Sequence, residues 1–234
     1  MRRLLIQDLL VKPESVTINT GTNDITLWVR PASSPERTMA AAYSRKESRK
    51  MRKLFSNKKS EEYRTVIQSE LEDGDRDALE KIWINGKLIP KILEMRTRSL
   101  EERDYIPEPE GEQVTNKQLD EYEDAVDEAE ETREEQLAKA IEAASIALKE
   151  EASKIPIKEL KTVAEGPLID AKAQEAAELE FVARLIMMCT FEDEACKRPA
   201  FENIEQVYQL KHHALTKLTN AHMGLLYDPE EIKN

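Results

Sequence analysis

The most constraining feature of this sequence is residues 114–154, a long run that contains neither glycine nor proline. After the opening Val-Thr-Asn, nearly every residue favours a helix. Apolar side chains recur at spacings of three and four residues, the pattern of a coiled-coil seam. The run therefore predicts one long helix with a narrow apolar strip. The strip comprises Leu119, Tyr122, Val126, Ala129, Leu137, Ala140 or Ile141, Ala144 and Leu148, with an interruption at Arg133.

Such a helix needs a partner, because most helical stability comes from packing an apolar face. The simplest partner is the next helical stretch, which gives an antiparallel hairpin across a connection at residues 154–168. A second copy of the chain is the alternative. Residues 114–153 are expected to project as a helical arm.

The first thirty residues predict a different structure. Apolar and polar positions alternate on both sides of Gly-Thr-Asn-Asp, which is typical of a β hairpin over residues 15–30. One face of the hairpin carries Val16, Ile18, Ile25, Leu27 and Val29, and this face needs helices to cover it.

Helices are expected after Pro31. Ser34 can cap a first helix that begins near Pro35, with Met39, Tyr43, Met51, Leu54 and Phe55 on its core side. Two further stretches, residues 61–71 and 75–100, are predicted to be helical. Gly86 and Pro90 predict a break or kink in the second. Its core candidates are Trp83, Ile84, Leu88, Ile89, Ile92 and Leu93.

The predicted fold is mainly α (α+β), with a small N-terminal β hairpin packed on a helical domain and a long acidic arm inserted. Three segments follow: 1–100 contains the hairpin and its helices, 101–165 the acidic linker and the coiled-coil-like arm, and 166–234 the C-terminal helices that complete the core. A charged fraction of 35%, few aromatics and six glycines favour long solvated helices.

Charge is distributed unevenly along the chain, whose formal net charge is −12. Residues 30–64 contain eleven Lys or Arg against four acids, a net +7, whereas residues 100–135 contain sixteen acids against three bases, a net −13. Each region can be a solvated helix face, or it can steer a partner of opposite charge. The candidate partner-binding residues are Arg45, Lys46, Arg49, Lys50, Arg52 and Lys53.

Residue spacing argues against a metal or catalytic site. Cys189 and Cys196 are separated by six residues and His212 adjoins His213, so with His222 they match no common zinc ligand set. The sequence lacks phosphate-binding glycine motifs and Glu-x-x-His pairs. We therefore expect no enzyme activity, no cofactor and no metal.

Two cysteines and the absence of a long apolar run predict a cytoplasmic protein that does not enter membranes. The basic helix suits nucleic-acid phosphates. The acidic isoelectric point, about 5.0, and the absence of a recognisable nucleic-acid module favour a protein partner instead.

Two segments carry a family resemblance. "ITLWVRPASSPER" near the N-terminus and "VARLIMMCTFEDEACKRPAFENIEQVYQLKHHALTKLTNAHMGL" near the C-terminus resemble the tail assembly chaperones of long-tailed, siphovirus-like phages. The match covers about half the chain, chiefly residues 24–56 and 180–226, and residues 101–175 depart from it as an insertion. In the terminal block the resemblance implies a buried helix at 183–189, an acidic turn at 191–201, a small helix at 204–210 and a last helix at 214–225.

The resemblance implies a function. A chaperone of this kind is a non-enzymatic helper that coats the tape measure protein, keeps its long helices soluble and recruits tail tube subunits. Two other functions stay open: a structural or adaptor component retained in a virion or similar assembly, and a nucleic-acid-binding accessory protein. A homo-oligomer is a further expectation.

Overall fold

In the computed structural model, the protein is mostly helical and carries one small antiparallel sheet, which confirms the expected fold class. The structure describes residues 13–19, 23–101, 106, 107, 109 and 115–226. Contacts within the chain group into two compact units. Unit 1 contains the described residues up to Lys53 and from Lys172 onward, and unit 2 contains those of Leu54–Ala171. The three segments predicted from the sequence group the chain differently and stay a prediction.

The sheet of unit 1 has the order β1-β2-β3. Strands β1 (Glu14–Asn19) and β2 (Asp24–Val29) form the predicted hairpin, with Val16 opposite Leu27 and Ile18 opposite Ile25. The sequence did not predict β3 (Thr190–Phe191), which pairs antiparallel with the end of β2. A two-residue strand has no periodicity of its own to recognise.

Helix α1 (Ser34–Phe55) begins within one residue of the predicted position. Its N-terminal cap differs from the prediction, which placed Ser34 there. The Glu36 carboxylate accepts hydrogen bonds from both the backbone N–H and the hydroxyl of Ser33, at 2.9 and 2.7 Å. A carboxylate at this position satisfies a backbone N–H at the helix start.

Three more elements complete unit 1 in the C-terminal half of the chain. Helix α5 (Ile157–Cys189) enters from unit 2, and α6 (Ile204–Tyr208) and α7 (His212–Leu226) follow β3. The order of helix, turn, small helix and last helix agrees with the one expected for this block, while the family assignment stays a prediction. Two apolar clusters form the core of this unit. The first contains Ile18, Val29, Ala183, Ile186, Ile204, Val207, Ala214 and Leu218, and the second Ala32, Ala40, Leu185 and Cys189.

All regular secondary structure among the described residues of unit 2 is helical. A π-helical segment, Tyr63–Gln68, continues into α2 (Ser69–Asp73), and α3 (Arg76–Glu101) and α4 (Asn116–Lys154) follow. Helix α3 runs without a break through Gly86 and Pro90, so the predicted break is wrong, while the alternative, a kink, stays a prediction.

Helix α4 confirms the long helix predicted from the glycine- and proline-free run. Thr115 caps it through a capping box with Gln118, in which each side chain bonds to the backbone N–H of the other residue. Every residue of the predicted seam from Tyr122 onward is buried or half-buried, apart from the alanines at 129 and 140.

The partner of α4 differs from the prediction. Helix α4 packs on the preceding helix α3, whereas the sequence favoured the following one. The guanidinium of Arg76, at the start of α3, donates to the carbonyls of Ala152, Ser153 and Ile155 at 3.3, 2.7 and 3.1 Å, so the two helices are antiparallel. Residues 154–168, predicted as a connection, mostly belong to α5, which starts at Ile157.

The connection between α4 and α5 is short. Ile155 and Pro156 alone separate α4 from α5, because Gly166 and Pro167 lie inside α5 and do not end it. A Cβ at Gly86 would lie 2.5 Å from the Pro167 Cβ, so α3 and α5 approach each other closely where both side chains are small or compact.

Candidate functional site

The six candidate partner-binding residues lie on helix α1 and are all exposed. At about 100° per residue, they fall within an arc of about 160° around the helix axis. Lys50 is paired with Glu47 at 3.0 Å. The arc therefore forms one cationic helix face, and this face consists of Arg45, Lys46, Arg49, Lys50, Arg52 and Lys53.

A pair of tyrosines lies beside this face. The sequence placed Met39 and Tyr43 on the core side of α1, but they are 47% and 40% exposed, so both predictions are wrong. The Arg184 guanidinium lies over the Tyr43 ring, 4.0 Å from its centroid, and its Nε donates to Glu180 Oε1 at 2.8 Å. The Tyr208 hydroxyl donates to the other oxygen of Glu180. Burial, followed by this hydrogen bond, raises the pKa of Tyr208.

These four side chains come from α1, α5 and α6, so no local motif marks the arrangement. The one sequence signal is Arg184 within the apolar run Phe-Val-Ala-Arg-Leu-Ile-Met-Met. A cation in such a run needs a buried or stacked partner. Glu180 supplies the first, at 8% exposure, and Tyr43 the second.

Unit 2 contains an open groove of about 870 Å³ between α3 and α4. The sequence also placed Ile89 and Leu93 in the core, but they are 58% and 61% exposed, so those two predictions are wrong. Arg98 and Arg133 line the groove together with small and apolar residues. The groove therefore offers apolar contacts beside charged side chains, among them Arg133, which pairs with Glu130 at 3.8 Å. Its apolar lining includes Met95, Ile106, Tyr122, Ala125, Val126, Ala129, Leu137 and Ala140.

A smaller groove of about 430 Å³ adjoins the hairpin in unit 1. Ile25 and Leu27 of β2 line it together with Phe201 and Leu210, and Ile25 is 47% exposed. The predicted apolar hairpin face is thus covered at Ile18 and Val29, which are buried, but it remains accessible at Ile25, the cross-strand partner of Ile18. This incomplete cover leaves apolar surface open beside the hairpin.

The outer edge of β1 is occupied by side chains of α7. Lys217 Nζ donates to the carbonyl of Thr17 at 3.0 Å, and His213 Nε2 bonds the carbonyl of Asn19 at 2.8 Å. Edge carbonyls are ready acceptors for a further strand. With these two engaged, the β1 edge is poorly suited to pairing with a partner strand.

Cys189 lies in a charged cluster at the end of α5. The Arg30 guanidinium forms a two-pronged pair with Glu36, with nitrogen–oxygen distances of 2.6 and 2.9 Å, and the Cys189 Sγ lies 3.8 Å from Glu36. Burial, reinforced by the Glu36 carboxylate, raises the pKa of the Cys189 thiol to about 12. The thiolate is the nucleophilic form, so this cysteine is poorly suited to catalysis at neutral pH.

The three histidines have different environments. His222 is buried and bonds Thr190 Oγ1 at 3.1 Å, and burial lowers its pKa to about 4. His212 and His213 are exposed on the first turn of α7. Among the residues that the structure describes, no three His, Cys, Asp or Glu side chains are grouped so that they could hold a metal ion. The expectation of a metal-free protein stays a prediction.

Within residues 13–19, 23–101, 106, 107, 109 and 115–226, no helix combines the length and apolar character required to span a bilayer. Two of the surfaces described above carry charged and aromatic side chains: the cationic and aromatic surface of α1, α5 and α6 in unit 1, and the groove of α3 and α4 in unit 2. No protein-family model, no curated protein and no solved structure matches this chain.

Proposed function

We propose that this chain is a non-enzymatic assembly chaperone that binds the long helices of a phage tape measure protein and aids polymerisation of the tail tube. The resemblance of residues 24–56 and 180–226 supports the identity of the partner. The groove between α3 and α4 is the observation that carries the binding mode.

The groove has the dimensions of a helix-binding site. Its lining on α4 extends from Tyr122 to Ala140, which is about 28 Å along the helix at 1.5 Å per residue. Amphipathic helices commonly bind by placing apolar side chains in such grooves. Small residues at Ala125 and Ala129 leave space for those side chains. Charged residues at the rim would limit unspecific apolar association.

Co-expression tests the proposal. The candidate partner is a very long helix-rich protein encoded next to this chain, and it should be soluble with this chain and aggregate without it. Ala129→Trp should fill the groove and abolish the rescue. Ala138→Trp is the matched control, because Ala138 is exposed on α4 and does not line the groove.

Two results would contradict the proposal. One is a partner that is equally soluble alone. The other is equal rescue by the Ala129→Trp variant and its Ala138→Trp control, provided that circular dichroism shows both to be helical.

The cationic face of α1 favours a second candidate function, the binding of nucleic acid. Six exposed cations that each neutralise one phosphate would give a slope of about −5 for log K against log salt on duplex DNA. A filter-binding titration at several salt concentrations measures that slope. A slope near zero, or the absence of binding at low salt, removes this candidate.

A further inference from the structure

The two tyrosines of unit 1 are each held by a charged side chain, Tyr43 at its ring face and Tyr208 at its hydroxyl. Arg184 stacks on Tyr43 and pairs with Glu180, and Tyr208 donates to the same carboxylate. Glu180 is 8% exposed, whereas the Tyr43 and Tyr208 side chains are 40% and 54% exposed. The rings are therefore held by partly buried contacts but present open surface.

Fixed, exposed aromatic side chains are suited to binding. Tyrosine and arginine are enriched among the residues that contribute most to protein interfaces. A side chain that is already immobilised loses little further conformational freedom when a partner binds. Tyr43 and Tyr208 meet this condition, because a stacked cation restrains one ring and a hydrogen bond restrains the other.

The surroundings of the pair determine which partner fits. On α1, Met39, Tyr43, Lys46 and Lys50 lie within an arc of about 60° at 100° per residue. Met39 is 47% exposed and both lysines are exposed. The acid beside them, Glu47, pairs with Lys50 at 3.0 Å. Along the axis, residues 39–50 span about 17 Å, or three turns of a partner helix.

Helix α1 as a whole is positively charged, as are Lys46 and Lys50 beside the tyrosines. Ser34–Phe55 contains seven Lys or Arg against two acids, a net +5, and the remaining cations continue the exposed face away from the tyrosines. An apolar and aromatic centre with a cationic margin is complementary to a helix that has an apolar stripe flanked by carboxylates.

We propose that this surface, which we call the tyrosine surface, binds an acidic amphipathic α-helix of a protein partner. It consists of Met39, Tyr43, Lys46, Lys50, Arg184 and Tyr208. The apolar stripe of the partner lies across the two rings and Met39, and its carboxylates face Lys46 and Lys50. This inference rests on the proposed function only in that the partner is a protein helix, and it uses residues separate from the α3–α4 groove.

The lysines and the aromatic rings of the tyrosine surface contribute differently to binding. Exposed ion pairs contribute about 0–1 kcal/mol each, so the lysines mainly accelerate encounter and make it sensitive to salt. The aromatic rings provide most of the affinity, because aromatic anchors dominate interface energetics.

A synthetic peptide is the probe: a fluorescently labelled amphipathic helix of about six turns with leucines on one face and glutamates on the others. A peptide of the same pattern with lysine in place of glutamate is the matched control. Fluorescence anisotropy should show binding of the acidic peptide that weakens as salt rises, with the lysine peptide at least tenfold weaker.

Substitutions locate the contact. Tyr43→Ala should weaken binding of the acidic peptide at least tenfold, while Tyr43→Phe, which keeps the ring over Arg184, should bind as the unaltered protein does. The double variant Lys46→Glu/Lys50→Glu should slow association, with an effect that shrinks as salt rises. Ala129→Trp, which fills the groove of unit 2, should leave peptide binding unchanged.

Three results would overturn the inference. They are equal affinity for the acidic and basic peptides, unchanged affinity after Tyr43→Ala in a protein with an unaltered melting curve, and displacement of the acidic peptide by duplex DNA at low salt. Because the tape measure rescue responds to Ala129→Trp and the peptide assay to Tyr43→Ala, failure of one proposal is distinguishable from failure of the other.

Discussion

Replacing Gly86 by alanine should test the close approach of α3 and α5. A Cβ at this position would lie 2.5 Å from the Pro167 Cβ and 2.6 Å from its Cγ, distances that real Cβ atoms do not adopt. The proline ring is rigid and cannot turn aside, so the helices must move apart. Forcing extra atoms into a packed contact costs about 1–3 kcal/mol.

Helix propensity acts in the opposite direction. Alanine is about 1 kcal/mol more favourable than glycine inside a helix. Gly224 in α7 provides the reference, because a Cβ there meets nothing within 4 Å. We therefore expect Gly224→Ala to stabilise the protein by up to about 1 kcal/mol, while Gly86→Ala is about 1–3 kcal/mol worse than that reference.

Urea unfolding followed by helical circular dichroism measures both variants. A double-mutant cycle adds specificity: Pro167→Gly removes both contacting carbons, so it should abolish most of the penalty of Gly86→Ala. The reasoning is refuted if Gly86→Ala stabilises the protein as much as Gly224→Ala does, or if the penalty is unchanged in the Pro167→Gly background.

Three further predictions concern single side chains. Leu218→Ala should destabilise the protein by about 2–5 kcal/mol in urea unfolding, because Leu218 is fully buried, whereas Leu179→Ala, at a side chain that is 59% exposed, should cost less than about 0.5 kcal/mol. Two groups should make the free energy of unfolding decrease as the pH is lowered. Burial lowers the pKa of His222 from 6.5 to about 4, so its effect should appear between about pH 6.5 and 4. The Arg30 hydrogen bond is the main cause that lowers the pKa of Glu36 from 4.5 to about 2, so its effect should appear between about pH 4.5 and 2. In both cases the unfolded chain binds the proton first, so His222→Gln should flatten the upper interval and Glu36→Gln the lower one in pH-dependent melting curves, and unchanged slopes would disprove the assignment. Thr115→Ala removes the capping box and should cost about 1 kcal/mol of α4 stability, detectable as faster amide exchange in its first turns and contradicted by unchanged exchange.

The long helix and the hairpin were predictable because their patterns are local and strong. Residues 114–154 lack helix breakers, and the strands alternate around a turn, so periodicity alone identifies both. The break predicted at Gly86 and Pro90 is wrong because a local preference does not decide the structure there. A proline inside a helix is disfavoured on average, but a helix can retain it, as α3 does at Pro90 and α5 at Pro167. Pro167 lies where α3 and α5 approach each other closely.

The candidate site was predictable only in part. The α1 cations follow from composition and their exposure from helical periodicity. Tyr43 and Tyr208 depend on Arg184 and Glu180, which come together only through tertiary packing. The choice between α3 and α5 as the partner of α4 also depends on tertiary contacts. Either helix could pack antiparallel to α4, and the Arg76 contacts that hold α3 against it are seen only in the structure.

The position of those Arg76 contacts has an evolutionary consequence. They fix the pairing of α3 and α4 at the base of the helical hairpin, where the last carbonyls of α4 would otherwise lack helical donors. Insertions or deletions near the opposite end change how far the hairpin extends without altering its register at the base. Descendants of this gene can therefore lengthen or shorten the hairpin in whole heptads, which keeps the apolar seam on the same side of α4. Substitutions that replace Arg76 should be selected against more strongly than changes in length at the tip of the hairpin.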